Sequence, residues 1–218
     1  MRIAIVGGGP ESELADLNTY HNEDVCWVGV DRGNLYLLER GIVPQAAIGD
    51  FDSITDAEWI RIKTILKADQ IQRFPSEKDQ TDLEIALLWA LKHEPQKITI
   101  FGATGGRLDH FFGTLSLLMN EKMINADADI EIIDRRNRIS LRRPGRYHVI
   151  QNDSKEYFSF FPLSSEVTGF TLTGFKYPLT NHTVQFGSTL YVSNELIGES
   201  GTFSFAAGIL LVVRSADD

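Results

Sequence analysis

Short apolar runs alternate with stripes of helical period through the first part of this chain, and that alternation does most to restrict the fold. The runs are Arg2–Val6, Val25–Val30, residues 46–48, residues 70–73, Lys97–Phe101 and residues 130–133. Between them, Leu83, Ala86, Leu87, Ala90 and Leu91 fall on one helix face. Leu108, Phe111, Phe112, Leu115, Leu118 and Met119 form a second stripe, and residues 56–67 a third, with Trp59, Ile62 and Leu66 inward. Strands that alternate with helices need crossover connections, so the expectation is an α/β unit with a mainly parallel sheet and flanking helices.

The pattern changes near residue 125. Helical spacing gives way to short runs rich in Phe, Thr, Val, Ile and Tyr, at residues 157–161, 168–172, 189–192 and 209–213. Pro144-Gly145, Asn152-Asp153, Gly174, Asn181, Gly187, Gly198 and Gly208 break them. Such spacing predicts an antiparallel sandwich or barrel. The expected division is an α/β unit over 1–125 and a β unit over 126–218, with no long linker between them.

At 218 residues, with 43% hydrophobic and 23% charged content, the chain can bury ordinary cores. A net charge of −9 argues against a nucleic-acid partner. No apolar run approaches the roughly 20 residues that span a membrane. The chain opens directly on a strand-like run without a signal peptide, and the single Cys26 leaves no disulfide framework, so a cytoplasmic location is expected. Cys26 reads as a packing residue. Arg135, Arg136, Arg138, Arg142, Arg143 and Arg146 form a basic patch, readable as a phosphate contact or as a solvated hairpin at the unit junction.

Acids recur where strands hand over to loops or helices. Asp31 heads Asp31-Arg32-Gly33 after the second run, and Gly49-Asp50-Phe51-Asp52-Ser53 follows the third. Lys78-Asp79-Gln80-Thr81-Asp82 precedes the first stripe, and Gly105-Gly106-Arg107-Leu108-Asp109-His110 opens the second. In a parallel sheet such positions share the edge where α/β proteins bind ligands. In extended backbone Asp50 and Asp52 point to the same side, with Phe51 turned into the packing. Mg2+ takes oxygen ligands and is commonly held by one or two carboxylates plus substrate phosphates. An Asp-rich turn with an N-cap explains Asp50 to Ser53 equally well in isolation. Thr81 and Glu84 fit a capping box, and Asp79 or Asp82 could complement the helix dipole, but a complete box does not explain two further acids, and Lys78 suits a phosphate. Gly105 and Gly106 open a helix start favourable to anions, and Arg107 adds charge-assisted donors. Asp109 and His110 lie in that helix's first turn. Gly7-Gly8-Gly9 offers close backbone approach but is not a Walker loop. Late in the chain, Ser193-Asn194-Glu195 places small polar groups after a run, where turn duty is the ordinary reading.

Taken in order, these five motifs resemble the thiamine pyrophosphokinase family over nearly the whole chain. The resemblance implies an N-terminal catalytic domain, a C-terminal thiamine-binding β-sandwich, and a homodimer whose active site is shared between chains. It implies transfer of a pyrophosphoryl group from ATP to thiamine, giving thiamine diphosphate and AMP, with Mg2+ as cofactor. Asp50, Asp52 and Asp82 would then hold the metal, and Arg107 and Lys78 would balance phosphate charge. Asp109 or a metal-bound acid would orient or deprotonate the hydroxyl. Asp31, Lys78, Thr81, Gly105, Gly106, Ser193 and Asn194 would contact ATP or thiamine. One departure stands out. Animal and fungal members place a tryptophan near the chain end, whereas Trp27, Trp59 and Trp89 all lie early here. The thiamine pocket is then more aliphatic, or Phe203 or Phe205 takes the tryptophan's place. Two other readings remain: a Mg2+-dependent pyrophosphoryl- or nucleotidyltransferase acting on another alcohol, and a non-catalytic sensor of nucleotide or thiamine diphosphate.

Overall fold

A computed structural model describes residues 1–20, 24–151 and 154–217. The expected break at Asn152-Asp153 lies outside the described residues. Compact packing divides the chain into Met1–Arg135 and Arg136–Asp218, later than the change of pattern at 125, because the last run of the first part joins the first unit's sheet.

In the first unit, β1 (Arg2–Val6), β2 (Val25–Val30), β3 (Ala46–Gly49), β4 (Ile71–Arg73), β5 (Lys97–Phe101) and β6 (Asp129–Ile133) pair in the order β4-β3-β2-β1-β5-β6. Every pairing is parallel. The chain winds outward from β1 to β4, then returns to β5 on the opposite side of β1. This reversal opens a crevice at the carboxyl ends of β1 and β5, the usual ligand position in such sheets. The connections carry α1 (Gly33–Glu39), α2 (Asp56–Ile65), α3 (Asp82–Leu91), α4 (Leu108–Leu118) and α5 (Glu121–Ile124). Residues 70–73 are only partly a strand, because Ala68–Gln70 forms a 3-10 turn first.

Two helices depart from the sequence expectation. α1 is buried from Gly33 to Leu38, so it has no polar face and shows no amphipathic stripe. The α4 stripe lies on a helix, but Leu118 is its one buried member, while Leu108 and Phe112 are 71% and 61% exposed. By contrast Ala86, Leu87 and Ala90 of α3 are buried as their spacing predicts.

The start of α1 is held by a close approach. A methyl on Gly33 would lie 1.8 Å from the Val6 carbonyl oxygen. Its end is a Schellman closure: Ile42 N–H donates to Leu37 O and Gly41 N–H to Leu38 O, with Gly41 left-handed at φ 71°.

In the second unit, β12 (Asn194–Glu195), β9 (Tyr157–Pro162), β14 (Leu210–Ser215) and β7 (Asn137–Arg142) pair antiparallel in that order. β11 (Leu179–Gln185), β10 (Glu166–Thr173), β13 (Ser200–Phe205) and β8 (Gly145–Ile150) form the facing antiparallel sheet. Phe158, Phe160, Phe170, Phe175, Phe203 and Leu210 fill the core between them. Three expectations need correction. Residues 189–192 form a turn rather than a strand. β7 and β8 are not a hairpin: Arg143-Pro144 passes the chain from one sheet to the other. Phe203 and Phe205 are 2% and 4% exposed and belong to the core, so neither replaces the missing tryptophan.

Two glycine replacements separate crowding from backbone strain. Gly33→Ala should cost about 3 kcal/mol or more in chemical denaturation, because backbone has to move. Gly41→Ala meets nothing within 4 Å and should cost only about 1 kcal/mol, the left-handed penalty. Equal losses would refute the close packing of α1 on β1.

Candidate active site

Each acid at the sheet edge owes its position to a local backbone feature. Asp31 follows β2 in left-handed conformation (φ 47°), which Asp adopts more readily than most residues, and its N–H donates to Ile48 O at 3.0 Å. Gly49 ends β3. A methyl there would sit 2.0 Å from Asp31 Oδ1, so the glycine lets the Asp31 carboxylate lie across the neighbouring strand. Phe51 is also left-handed (φ 61°) and its N–H donates to Asp31 Oδ1 at 3.2 Å. Asp82 begins α3 behind the N-cap Thr81, whose hydroxyl accepts the Glu84 N–H at 3.2 Å. Glu84 does not complete the expected capping box; its carboxylate accepts from Gln80 Nε2 instead. The reciprocal box belongs to Thr55 and Glu58 at α2.

Asp31, Asp50 and Asp82 consequently offer carboxylate oxygens within 4.8 Å of one another. Lys78 Nζ lies 3.1 Å from Asp82 Oδ2 and 3.7 Å from Asp50 Oδ2, and also donates to Pro75 O. The Lys78, Asp50 and Asp82 side chains are only 13–16% exposed, so water screens them weakly. Asp82 Oδ1 is solvent-inaccessible and receives no protein donor. Burial, with the Asp82 charge next in importance, pushes the Asp31 carboxyl up to about 7.

The close trio differs from the one read in the sequence. Phe51 is left-handed, so extended alternation does not set the Asp50 and Asp52 side chains, yet their carboxylates still lie side by side. Asp31 joins Asp50 and Asp82 in the tight group. Asp52 stands exposed beside it, its N–H donating to Asp50 Oδ1 at 3.0 Å, and the Asp50 charge pushes its carboxyl upward. Lys78, expected to face phosphate, here bridges two acids.

The β1 and β5 ends form a second part of the same edge. Gly7 N–H donates to Phe101 O and Gly9 N–H to Gly102 O, and a methyl on Gly9 would be 2.6 Å from Gly102 O. Gly105 is left-handed (φ 78°) and rests on Glu13; Gly106 is exposed beside it. Arg107 and Asp109 pair with each other, Nε to Oδ1 at 3.1 Å, in exposed positions. The guanidinium holds the Asp109 carboxyl below the usual carboxylate range, which suits an orienting group better than a proton acceptor. His110 is exposed, and its N–H also donates to Asp109. The sequence reading missed Asp134, which is 4% exposed after β6 and accepts the Thr104 hydroxyl at 2.6 Å. The signal was present: an acid directly after an apolar run, as with Asp31.

In the second unit, Ser193 is exposed and left-handed (φ 56°), with its N–H donating to Ser159 Oγ. Asn194 was expected to reach a ligand. It is 2% exposed instead, and its amide oxygen accepts from Tyr177 and Glu195 N–H while Nδ2 donates to Tyr177 O. That side chain is committed to holding the loop.

Both units have clear counterparts among known proteins. The thiamin pyrophosphokinase catalytic domain matches residues 17–132, and the thiamin pyrophosphokinase vitamin B1 binding domain matches residues 147–210. Thiamine pyrophosphokinase of Bacillus subtilis is 49% identical over 215 residues, spanning 99% of both chains. The crystal structure of a Bacillus subtilis thiamine pyrophosphokinase superposes with TM-score 0.94 at 48% identity, covering 100% of each chain. That of the thiamin pyrophosphokinase from Geobacillus thermodenitrificans superposes with TM-score 0.90 at 51% identity, covering 100% of this chain and 99% of the other. With both halves matched and the whole length covered, this chain belongs to the thiamin pyrophosphokinase family.

Proposed function

We propose that this chain catalyses transfer of the pyrophosphoryl group of ATP to the hydroxyl of thiamine, releasing AMP and thiamine diphosphate. The observation that carries the reading is the trio Asp31, Asp50 and Asp82, crowded at the sheet edge of a thiamin pyrophosphokinase family chain. Phosphoryl-type transfer depends on positioning and on neutralising phosphate charge, more than on covalent help from the protein.

The donor set suits Mg2+. The ligands are all carboxylate oxygens, and Asp82 Oδ1 is buried without a donor, so a cation satisfies what the protein leaves open. Asp31, Asp50 and Asp82 would hold the ion, with Asp52 at the rim. Bound there, Mg2+ would neutralise phosphate oxygens and brace the leaving group. Lys78 adds positive charge beside the same acids. Arg107 stands ready at the glycine-rich end of the edge to meet phosphate oxygens. The backbone N–H groups of Gly105 and Gly106 favour anions there, and Asp109, kept ionised by Arg107, orients the hydroxyl.

The product pattern tests the reaction directly. ATP labelled at both its β- and γ-phosphates should deliver both labels to one thiamine molecule, with AMP formed in equal amount. Stoichiometric ADP, or thiamine monophosphate appearing first, would refute it. A different acceptor alcohol would show as AMP release that does not depend on thiamine.

The Asp31 carboxyl makes the site sensitive to pH. Its folded pKa of about 7 lies above the ordinary 3.8, so the folded state binds the extra proton. The resulting stability is complete below 3.8 and is lost as pH rises through about 7. In EDTA, melting temperature should therefore fall across that window, and Asp31→Asn should flatten the fall. Mg2+ needs the ionised carboxylate, so its affinity should rise over the same window in the wild type and not in the variant. An Asp31→Asn profile identical to wild type in both measurements would remove Asp31 from the site.

By family resemblance, the working form is a cytoplasmic homodimer whose active site is shared between chains, with the Ser193 hydroxyl facing thiamine. Exposed apolar side chains on the second unit support an assembly surface, among them Leu190 (80%) and Ile197 (75%). Among the described residues, no helix is long and apolar enough to cross a membrane. Mixing inactive Asp50→Asn chains with inactive Ser193→Tyr chains should restore part of the activity through hybrid sites. No recovery after verified subunit exchange would place the site within one chain.

A further inference from the structure

Among the described residues, five that are not glycine adopt left-handed backbone: Asp31, Phe51, Glu94, Asn181 and Ser193. Asn and Asp accept that conformation through local hydrogen bonds, but an aromatic residue has no such compensation and persists there only if its surroundings impose it. Phe51 lies between Asp50 and Asp52, so its backbone decides where both carboxylates point.

The surroundings that impose it can be named. The Phe51 ring is buried against Trp59 of α2, with ring centroids 4.6 Å apart, in a cluster with Leu35, Leu38, Ile62 and Leu66. Trp59 is itself fixed from outside: Lys63 Nζ lies 5.3 Å and the Arg73 guanidinium 5.5 Å from its ring centroid. Arg32 fastens the rest of the turn, donating to Ser53 O at 2.7 Å and pairing with Glu58. With the ring trapped, Phe51 N–H meets Asp31 Oδ1 and Asp50 faces Lys78.

We propose that Trp59 is a positioning residue for the acid cluster. It clamps the Phe51 ring, sustains the left-handed turn, and so keeps Asp50 within reach of Asp31 and Asp82. The inference rests on reading those acids as a divalent-cation site. It assigns a role to an indole that touches none of the acids, through the one residue whose backbone aims them.

Mn2+ binding to the full-length protein, followed by electron paramagnetic resonance, tests it without relying on turnover. Trp59→Ala should weaken Mn2+ binding roughly 10- to 100-fold, the usual cost of losing a group that orients metal ligands. Trp59→Phe keeps a ring against Phe51 and should restore most of the affinity. Phe51→Gly relaxes the backbone but removes the clamp, so it should lose affinity as Trp59→Ala does, and the double variant should lose no more than either. Leu66→Ala, in the same cluster but away from the turn, should lower the melting temperature while leaving Mn2+ affinity unchanged. If Trp59→Ala binds Mn2+ as tightly as wild type, or if Leu66→Ala loses as much affinity as Trp59→Ala, the inference fails and Trp59 is core alone. A wild-type protein that takes up no Mn2+ overturns the cation reading, and this inference with it.

Discussion

Three carboxylates forced within 4.8 Å of one another are the constraint around which the first unit is organised. Like charges at that separation repel strongly wherever water is partly excluded. The fold answers with three devices. Lys78 bridges two of the acids, Asp31 is pushed toward its neutral form, and the backbone on either side is locked so that the carboxylates cannot turn away. The remaining imbalance is what the proposed cation would relieve, since the edge holds more negative charge than its own lysine can neutralise.

Sheet topology makes this crowding possible. β2 and β3 are parallel neighbours, so their carboxyl ends stop at the same level, and Asp31 and Asp50 meet without a long loop between them. α3 then delivers Asp82 through its N-terminus, where the helix dipole favours a carboxylate. Gly49 is the indispensable small residue, since any side chain there would occupy the space of Asp31 Oδ1. The glycines of β1 and β5 do comparable work at the other part of the edge, where backbones approach too closely for a Cβ.

Much of this could be read from the sequence, and the failures have physical causes. β1, β2 and β5 were plain because strands buried in a parallel sheet are continuous apolar runs. The acids after them marked the binding edge, since the carboxyl ends of such strands lie together. α1 was hidden because a helix buried on all sides has no polar face to set its period. The α4 stripe was read correctly as a helix, but its spacing does not set its burial: Leu108 and Phe112 keep the spacing and remain exposed. Asp31 was read as a ligand contact and not as a close neighbour of Asp50 and Asp82, because nothing in the letters Asp-Phe-Asp announces that the phenylalanine is left-handed and turns its N–H to Asp31. The burial of Asn194 was hidden for another reason. A buried amide that satisfies a neighbouring loop and an exposed amide that meets a ligand are the same residue in a sequence, and only burial tells them apart.

The arrangement of the edge also bears on which phosphorus is attacked. Its closest acids gather at β2, β3 and α3, while its glycine-rich turns and Arg107 gather at β1 and β5, where the strand order reverses. A cation held by the carboxylates of the first part would meet phosphate oxygens; the second part offers backbone N–H groups and a guanidinium. A triphosphate extended along such an edge is gripped at more than one phosphate, so two phosphates can travel together while the bond to the third breaks. A single-phosphate transfer needs tight neutralisation only around the terminal group. The distribution of charge along the edge therefore suits a pyrophosphoryl group as the transferred unit, and in-line attack then requires the acceptor hydroxyl opposite the oxygen that leaves with AMP.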